Sequence, residues 1–257
     1  MCTVRSLVSR AALVLAALSG LPCQAQDLPR PDARPVAVLI TSDPWAMVVG
    51  SDGPSIVAYD DGTIIFRRQV SRERYEYAVV HDRRALHRLV GTPEQRRSFA
   101  TAEDRYVLYH GTDQPVTRLC LWLDTGRKCT SIYGLSEAEA KQARTVPPQV
   151  AGILRRLARF SDPQAWPWWP GQIEVMLWPY DHSPEQPVKW PAEWPGLDDP
   201  STVARGGALF SVFIPSGQRE RLLSFVQRLR QRQAVEIRGR KWSVGLRVPF
   251  PHEAEWM

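Results

Sequence analysis

Short apolar runs, each bounded by turn residues, set the rhythm of the first half of the chain. Val36-Ala-Val-Leu-Ile40 is continuous and of strand length. Ser55-Ile-Val-Ala-Tyr59 and Thr63-Ile-Ile-Phe66 flank Asp60-Asp61-Gly62, where glycine supplies the left-handed position of a hairpin turn. Tyr75-Glu-Tyr-Ala-Val-Val80 continues the strands. Asp82 is placed to cap a short helix that runs through Val90 and ends at Gly91. Thr92, Pro93 and Glu94 then supply cap, first-turn proline and early acid for another. Tyr106–Tyr109, Val116–Leu123 and Lys128–Tyr133 predict three more strands, the last two joined around Asp124-Thr125-Gly126.

After Gly134 the period becomes helical. Ser136-Glu-Ala-Glu139 has the spacing of a capping box. Pro147-Pro148 opens a helix over Gln149–Phe160, with Val150, Ile153, Leu154 and Leu157 on one face. Residues 135–162 are therefore the expected helical connection between an N-terminal β-rich lobe, 36–134, and a C-terminal α+β lobe, 163–257. In the second lobe Gln172–Leu177, Ala208–Ile214, Ala234–Ile237 and Trp242–Val248 predict strands. Ser216 is the expected cap of a helix over Gln218–Gln231, whose stripe is Leu222, Phe225, Val226 and Leu229. The order strand, strand, helix, strand, strand suits an antiparallel sheet with one packed helix. The expected fold class is α+β: antiparallel sheets and a few packed helices, in two lobes or one continuous body.

The first 25 residues have another character. Arg5 and Arg10 precede the apolar run Ala11–Leu18, Pro22 breaks it, and Cys23-Gln24-Ala25 places small residues for cleavage before Gln26. The run is far shorter than the ~20 residues a membrane span needs, and Pro22 does not suit lipid attachment to Cys23. The expectation is a cleavable signal peptide, a polar flexible leader over 26–35, and a periplasmic or extracellular protein with no transmembrane segment in the mature chain. Removing 25 of 257 residues leaves 232, at 44% hydrophobic composition for the whole chain enough for a sizeable core, and lowers the net charge from +6 to +4. That charge is weak grounds for an anionic partner, and export argues against nucleic acid.

Processing also leaves two of the four cysteines, Cys120 and Cys129. They oppose each other directly if the turn centres between residues 124 and 125, and slip by one if Gly126 makes a bulge. In an oxidising compartment the pair is expected to bond, pinning the hairpin register and contributing about 2 kcal/mol.

Catalytic motifs are missing: the chain has no G-x-S-x-G, S-x-x-K, H-E-x-x-H or C-x-x-C and no phosphate-binding glycine loop. No cofactor and no metal site is expected. His81 and His87 are spaced wrongly for one helix face. His110 with Asp113, and Asp181 with His182, are the residues from which a scattered hydrolase site would be assembled. Asp60-Asp61 and Asp198-Asp199 are turn residues.

Two segments invite a binding role. Between Pro163 and Pro200 the chain holds nine prolines and six tryptophans. Indole faces stack on sugars and prolines hold them in extended arrays, which makes Trp166, Trp168, Trp169, Trp190 and Trp194 the candidate binding residues. The same residues also serve to staple an irregular loop onto a sheet. Nine Lys and Arg lie between Arg219 and Arg247 against Glu220 and Glu236, and Arg221, Arg228 and Arg232 face away from the helix stripe. They form either an anion-facing surface or an ordinary solvated face.

In Tyr59-Asp-Asp-Gly-Thr-Ile-Ile65, Thr112-Asp-Gln-Pro115 and Gly126-Arg-Lys128 running into Ile132-Tyr-Gly134, the chain resembles exported bacterial domains of unknown function. These share a tyrosine strand, an Asp-Gly hairpin and a later strand pair joined by a Gly-Lys or Gly-Arg turn. The resemblance covers about residues 36–134 and implies no activity. The function expected is non-catalytic binding or scaffolding in the envelope, with a glycan, a cell-wall polymer or an envelope protein as partner. The alternative is the scattered-site hydrolase.

Overall fold

The computed structural model describes residues 29–46, 48, 51–71, 75–136 and 146–257. The expected signal segment 1–25, the start of the leader and the capping box beyond Ser136 lie outside the described residues.

Two sheets carry the fold. The first contains β1 (Pro35–Ser42), β2 (Pro54–Tyr59), β3 (Thr63–Gln69), β4 (Tyr75–His81), β5 (Arg105–Val107), β6 (Val116–Leu123), β7 (Gly126–Tyr133) and β8 (Trp166–Pro167). Its order is β5-β7-β6-β1-β2-β3-β4-β8, antiparallel except between β5 and β7. The second contains β9 (Gln172–Pro179), β10 (Val188–Lys189), β11 (Val203–Gly206), β12 (Leu209–Pro215), β13 (Val235–Ile237) and β14 (Arg240–Arg247). Its order is β10-β13-β14-β9-β12-β11, with β10 and β13 parallel. Among the described residues the α-helices that pack on the sheets are α1 (Arg83–Val90), α2 (Pro93–Ala100), α3 (Pro148–Ala158) and α4 (Arg219–Arg228). The class is α+β, as expected.

Local chemistry explains most of the boundaries. Gly62 sits at φ +98°, which lets β2 turn into β3. Asp82 Oδ1 accepts from the N–H groups of Arg84 and Ala85 at 2.7 and 3.0 Å, opening α1. Thr92 and Gln95 form a reciprocal capping box for α2. In the cysteine hairpin Leu123 pairs with Gly126 and Cys120 with Cys129, so the loop is the two residues Asp124 and Thr125 and the cysteines are directly opposed. Their sulfurs are 2.06 Å apart, a disulfide.

Ser216 does not cap a helix. It begins a single 3₁₀ turn, and its hydroxyl donates to the Pro170 carbonyl. The α-helix starts only at Arg219 and ends at Arg228, short of the expected Gln231, because Leu229 is already extended. Tertiary demand for the Ser216 hydroxyl at Pro170 overrides its local capping tendency.

The first sheet is apolar on both faces, which is why β1 reads as an unbroken apolar run. Ala37, Leu39, Ile56, Ile64, Val80 and Leu119 point to the helices α1, α2 and α3. Val38, Val57, Tyr59, Ile65, Val79 and Cys120 point the other way and are covered by Trp168, Phe250 and Trp256. Helix α3 buries Val150, Ile153, Leu154 and Leu157 in the first core. Parts of 163–257 also reach the first sheet. Trp166 pairs with Val79 to add β8 to the first sheet, and the segment after β14 returns to cover its second face. The physical reason is that a sheet apolar on both sides needs two covers, and residues 36–134 supply helices for only one.

The second sheet buries Ile173, Val175, Leu177, Val212, Ile214 and Trp242 against α4 and the Trp-Pro segment. Its opposite face meets the loop after β1. A Cβ placed on Gly245 would lie 3.0 Å from Val48 Cβ and 3.2 Å from Ser51 Cβ, so the absence of a side chain there permits the close approach. Among the described residues no helix is long and apolar enough to cross a membrane.

Candidate functional site

The two sheets are joined by a charged network that the sequence does not advertise. Glu174 on β9 is 1% exposed and Arg247 on β14, its register partner, 6%. Arg247 donates both terminal nitrogens to Glu253 at 2.7 Å, a bidentate pair, and also meets Glu174. Glu174 Oε2 faces that guanidinium as an ion pair. Glu174 Oε1 accepts from the Ser211 hydroxyl and from Arg205 at 3.1 Å. Burial works against the Arg247 charge, yet the hydrogen bonds and charge of Glu253, and the charge of Glu174, hold its pKa above the ordinary guanidinium value. The tail beyond β14 is fixed by the same chemistry. Glu253 accepts from the Phe250 N–H at 3.0 Å, Tyr59 donates its hydroxyl to the Pro251 carbonyl at 3.1 Å, and Arg34 reaches Glu255 at 2.8 Å. The network is closed on itself, a clamp rather than a reactive centre.

Beside this clamp, between β4 and β14, opens a cleft of about 320 Å³. Tyr75, Tyr77 and Trp169 give it aromatic walls, and Asp52, Arg67 and Arg247 bring charge to the same space. Each wall is held. Tyr77 donates to the Pro54 carbonyl at 2.9 Å and packs edge-on to Phe250 with ring centres 5.0 Å apart. Gly53 lies so close that a Cβ would be 2.5 Å from the Tyr77 hydroxyl oxygen. The Arg67 guanidinium sits 4.7 Å over the Tyr75 ring, and Arg219 lies 4.7 Å over Trp169. Burial pushes the Tyr77 hydroxyl up to about 12, with Arg67 and Arg247 pulling the other way, so it stays a neutral donor.

Asp52 is the hinge of the site. It also lines a second hollow of about 460 Å³, with Asp43, Gln114, Arg118 and Trp256 around it. Its Oδ2 accepts from the Asp43 N–H at 3.3 Å. Partial burial raises its pKa, the Asp43 charge raises it further, and that hydrogen bond and Arg67 oppose the rise. Trp45, on the same loop, is 73% exposed.

The five candidate tryptophans do not form one row. Trp168 and Trp194 are buried at 2% and 3% exposure in different cores. Trp190 is half-buried and packs on Trp194 and Phe225, with ring centres 5.0 and 5.8 Å away. Trp166 is exposed at the edge of the first sheet. Only Trp169 of the five lines the cleft. The residues of the hydrolase alternative are exposed: His110 and Asp113 follow β5, whereas Asp181 and His182 follow β9 and Asp181 pairs with Arg240 at 3.6 Å. None of the four lines either hollow. Among the described residues no group of three or more His, Cys, Asp or Glu is placed to hold a metal ion.

The basic C-terminal stretch is largely neutralised in place. Arg221 pairs with Glu193, Arg230 with Glu185 and Arg238 with Asp198. The residues that sequence reasoning missed are Asp52, Tyr75, Tyr77 and the Glu174–Arg247 pair. Glu174 alternates with Ile173 and Val175 as a solvent-facing strand residue would, so no periodicity marks it as buried.

Compared with family models, with curated proteins and with solved structures, the chain has no match.

Proposed function

We propose that this protein works outside the cytoplasm as a non-catalytic binding protein of the cell envelope, and that it holds a glycan or cell-wall polymer in the cleft between its two sheets. The observation that carries the reading is the convergence of Tyr75, Tyr77 and Trp169 with Asp52, Arg67 and Arg247 in one hollow. Sugar rings offer apolar C–H faces and a rim of hydroxyls. Aromatic walls take the faces, while carboxylate and guanidinium groups take the hydroxyls. The signal-peptide pattern of residues 1–25 supports a location where such polymers occur.

The test is a titration of the exported protein with muropeptides and neutral oligosaccharides, read by intrinsic fluorescence and calorimetry. Saturable binding is expected, weakened about tenfold in Tyr75→Ala, which removes stacking worth on the order of 1 kcal/mol and its contact area. Binding that is absent for every glycan, or indifferent to Tyr75 and Trp169, sinks the reading. One observation favours a second, hydrolytic reading: a carboxyl whose pKa is raised, Asp52, beside the charge of Asp43 at the rim of the cleft. New reducing ends produced by the native protein and not by Asp52→Asn would replace binding with hydrolysis.

A further inference from the structure

On the helical side of the first sheet, away from the cleft, α1 and α3 enclose a hollow of about 470 Å³ with four arginines at its rim. Arg88 comes from the last turn of α1. Arg155 and Arg156 come from the last turn of α3, and Arg159 caps it. Ser161 also lines the hollow, and Ala85, Leu89 and Phe160 form an apolar floor.

Arg156 is held ready. Its Nε donates to the Leu89 carbonyl at 3.2 Å and a terminal nitrogen donates to Gln95 Oε1 at 3.2 Å. Gly91 makes the room, since a Cβ there would stand 2.7 Å from that arginine. Burial lowers the Arg156 pKa from its ordinary value, the direction expected of a cation taken partly out of water. Asp82 caps α1 and also pairs with Arg88 at 3.7 Å, so one of the four arginines has a carboxylate partner, and Asp162 accepts from the Gln164 N–H at 2.7 Å. Among the described residues no carboxylate pairs with Arg155 or Arg159. Helix C-termini attract cations, and this explains one arginine at each end. It does not explain four around one concavity with an apolar floor.

We propose that this hollow binds the phosphate group of a phosphorylated ligand. A phosphate offers several charged oxygens in a small volume, and guanidinium groups match it with paired N–H donors. An apolar floor beneath them suits an ester carrying a hydrocarbon or sugar portion. The inference is independent of the glycan reading, because it uses the opposite face of the sheet and none of the cleft residues.

The experiment titrates the exported protein with inorganic phosphate and, separately, with phosphatidylcholine vesicles with and without phosphatidylglycerol. Saturable binding to at least one phosphate probe is expected, and Arg155→Gln with Arg159→Gln lowers it about tenfold or more, as loss of charge-assisted contacts requires. Both side chains are exposed, so an unchanged melting curve accompanies the loss. The same loss of charge in Arg228→Gln with Arg232→Gln, at the end of α4 and in the turn after it, leaves binding within about twofold, as a charge outside the site should. Response to phosphatidylglycerol vesicles alone assigns the phosphate to a lipid headgroup, and response to free phosphate assigns it to a soluble ligand. Either supports the site. No saturable binding to any probe, or an equal loss in the Arg228 and Arg232 pair, overturns it.

Discussion

The first sheet is sandwiched between α1, α2 and α3 on one face and Trp168, Phe250 and Trp256 on the other, so nearly all of that covering is hydrocarbon. The second sheet has one helix and the tryptophans of an irregular segment on its inner face, and on its outer face a buried Glu174, Arg247 and Ser211. One sheet is stabilised by area, whereas the other depends on a few heavy side chains and a closed ionic network. Area is forgiving, because many residues share it. A clamp of a few buried charges is not, since losing Arg247 leaves Glu174 buried with only Arg205 to balance it.

That difference is open to attack at its strongest point. Arg247→Met should destabilise the protein by about 3 kcal/mol, the low end for a broken buried pair because Arg205 still reaches Glu174. Urea unfolding measures this, and a midpoint close to that of the native protein would mean the clamp is ornamental. Trp194→Ala comes next. Trp194 is 3% exposed and donates to Gln218 Oε1 at 2.7 Å, and truncation should cost about 3 kcal/mol or somewhat less. Trp178→Ala, exposed on the same sheet, should stay within about 0.5 kcal/mol. Equal effects from the two would show that the Trp-Pro segment does not staple the second sheet.

The smallest effect is at Asp52, where the loop from one sheet meets the other. Its folded pKa is raised, chiefly by burial, so the folded state binds its proton more tightly than the unfolded chain does. Stability therefore falls as pH rises from the unfolded carboxylate value through the folded one, and the full penalty is present above it. Asp52→Asn should accordingly stabilise the protein slightly at pH 7, by about 0.5 kcal/mol or less given solvent screening, and the gain should vanish at pH 3. Thermal melts across that range decide it. A gain that grew toward acid would reverse the sign and remove the burial argument.

Much of this architecture is legible locally. The Asp60-Asp61-Gly62 turn, the Asp82 and Thr92 caps and the Val150–Leu157 stripe each act over a few residues, and each appears where the chain places it. The cysteine hairpin needed one more fact, the two-residue turn, to choose between two registers. The candidate site was mostly illegible. Trp169 was singled out among five tryptophans, but which of them is buried depends on what lies opposite, and Trp168 and Trp194 are covered by segments distant in the chain. Glu174 and Arg247 are 73 residues apart in sequence and adjacent only in register.

What the sequence determined by itself, then, is the kind of protein: α+β, rich in antiparallel hairpins, with one disulfide in a short loop and no helix among the described residues suited to crossing a membrane. These follow from interactions between near neighbours. The tertiary structure decided that α3 belongs to the first core, that the tail returns across the first sheet, and that a charged clamp and an aromatic cleft arise where the sheets meet. Those outcomes rest on which faces need covering, and a sheet apolar on both sides does not specify in its own residues which distant segment will cover it.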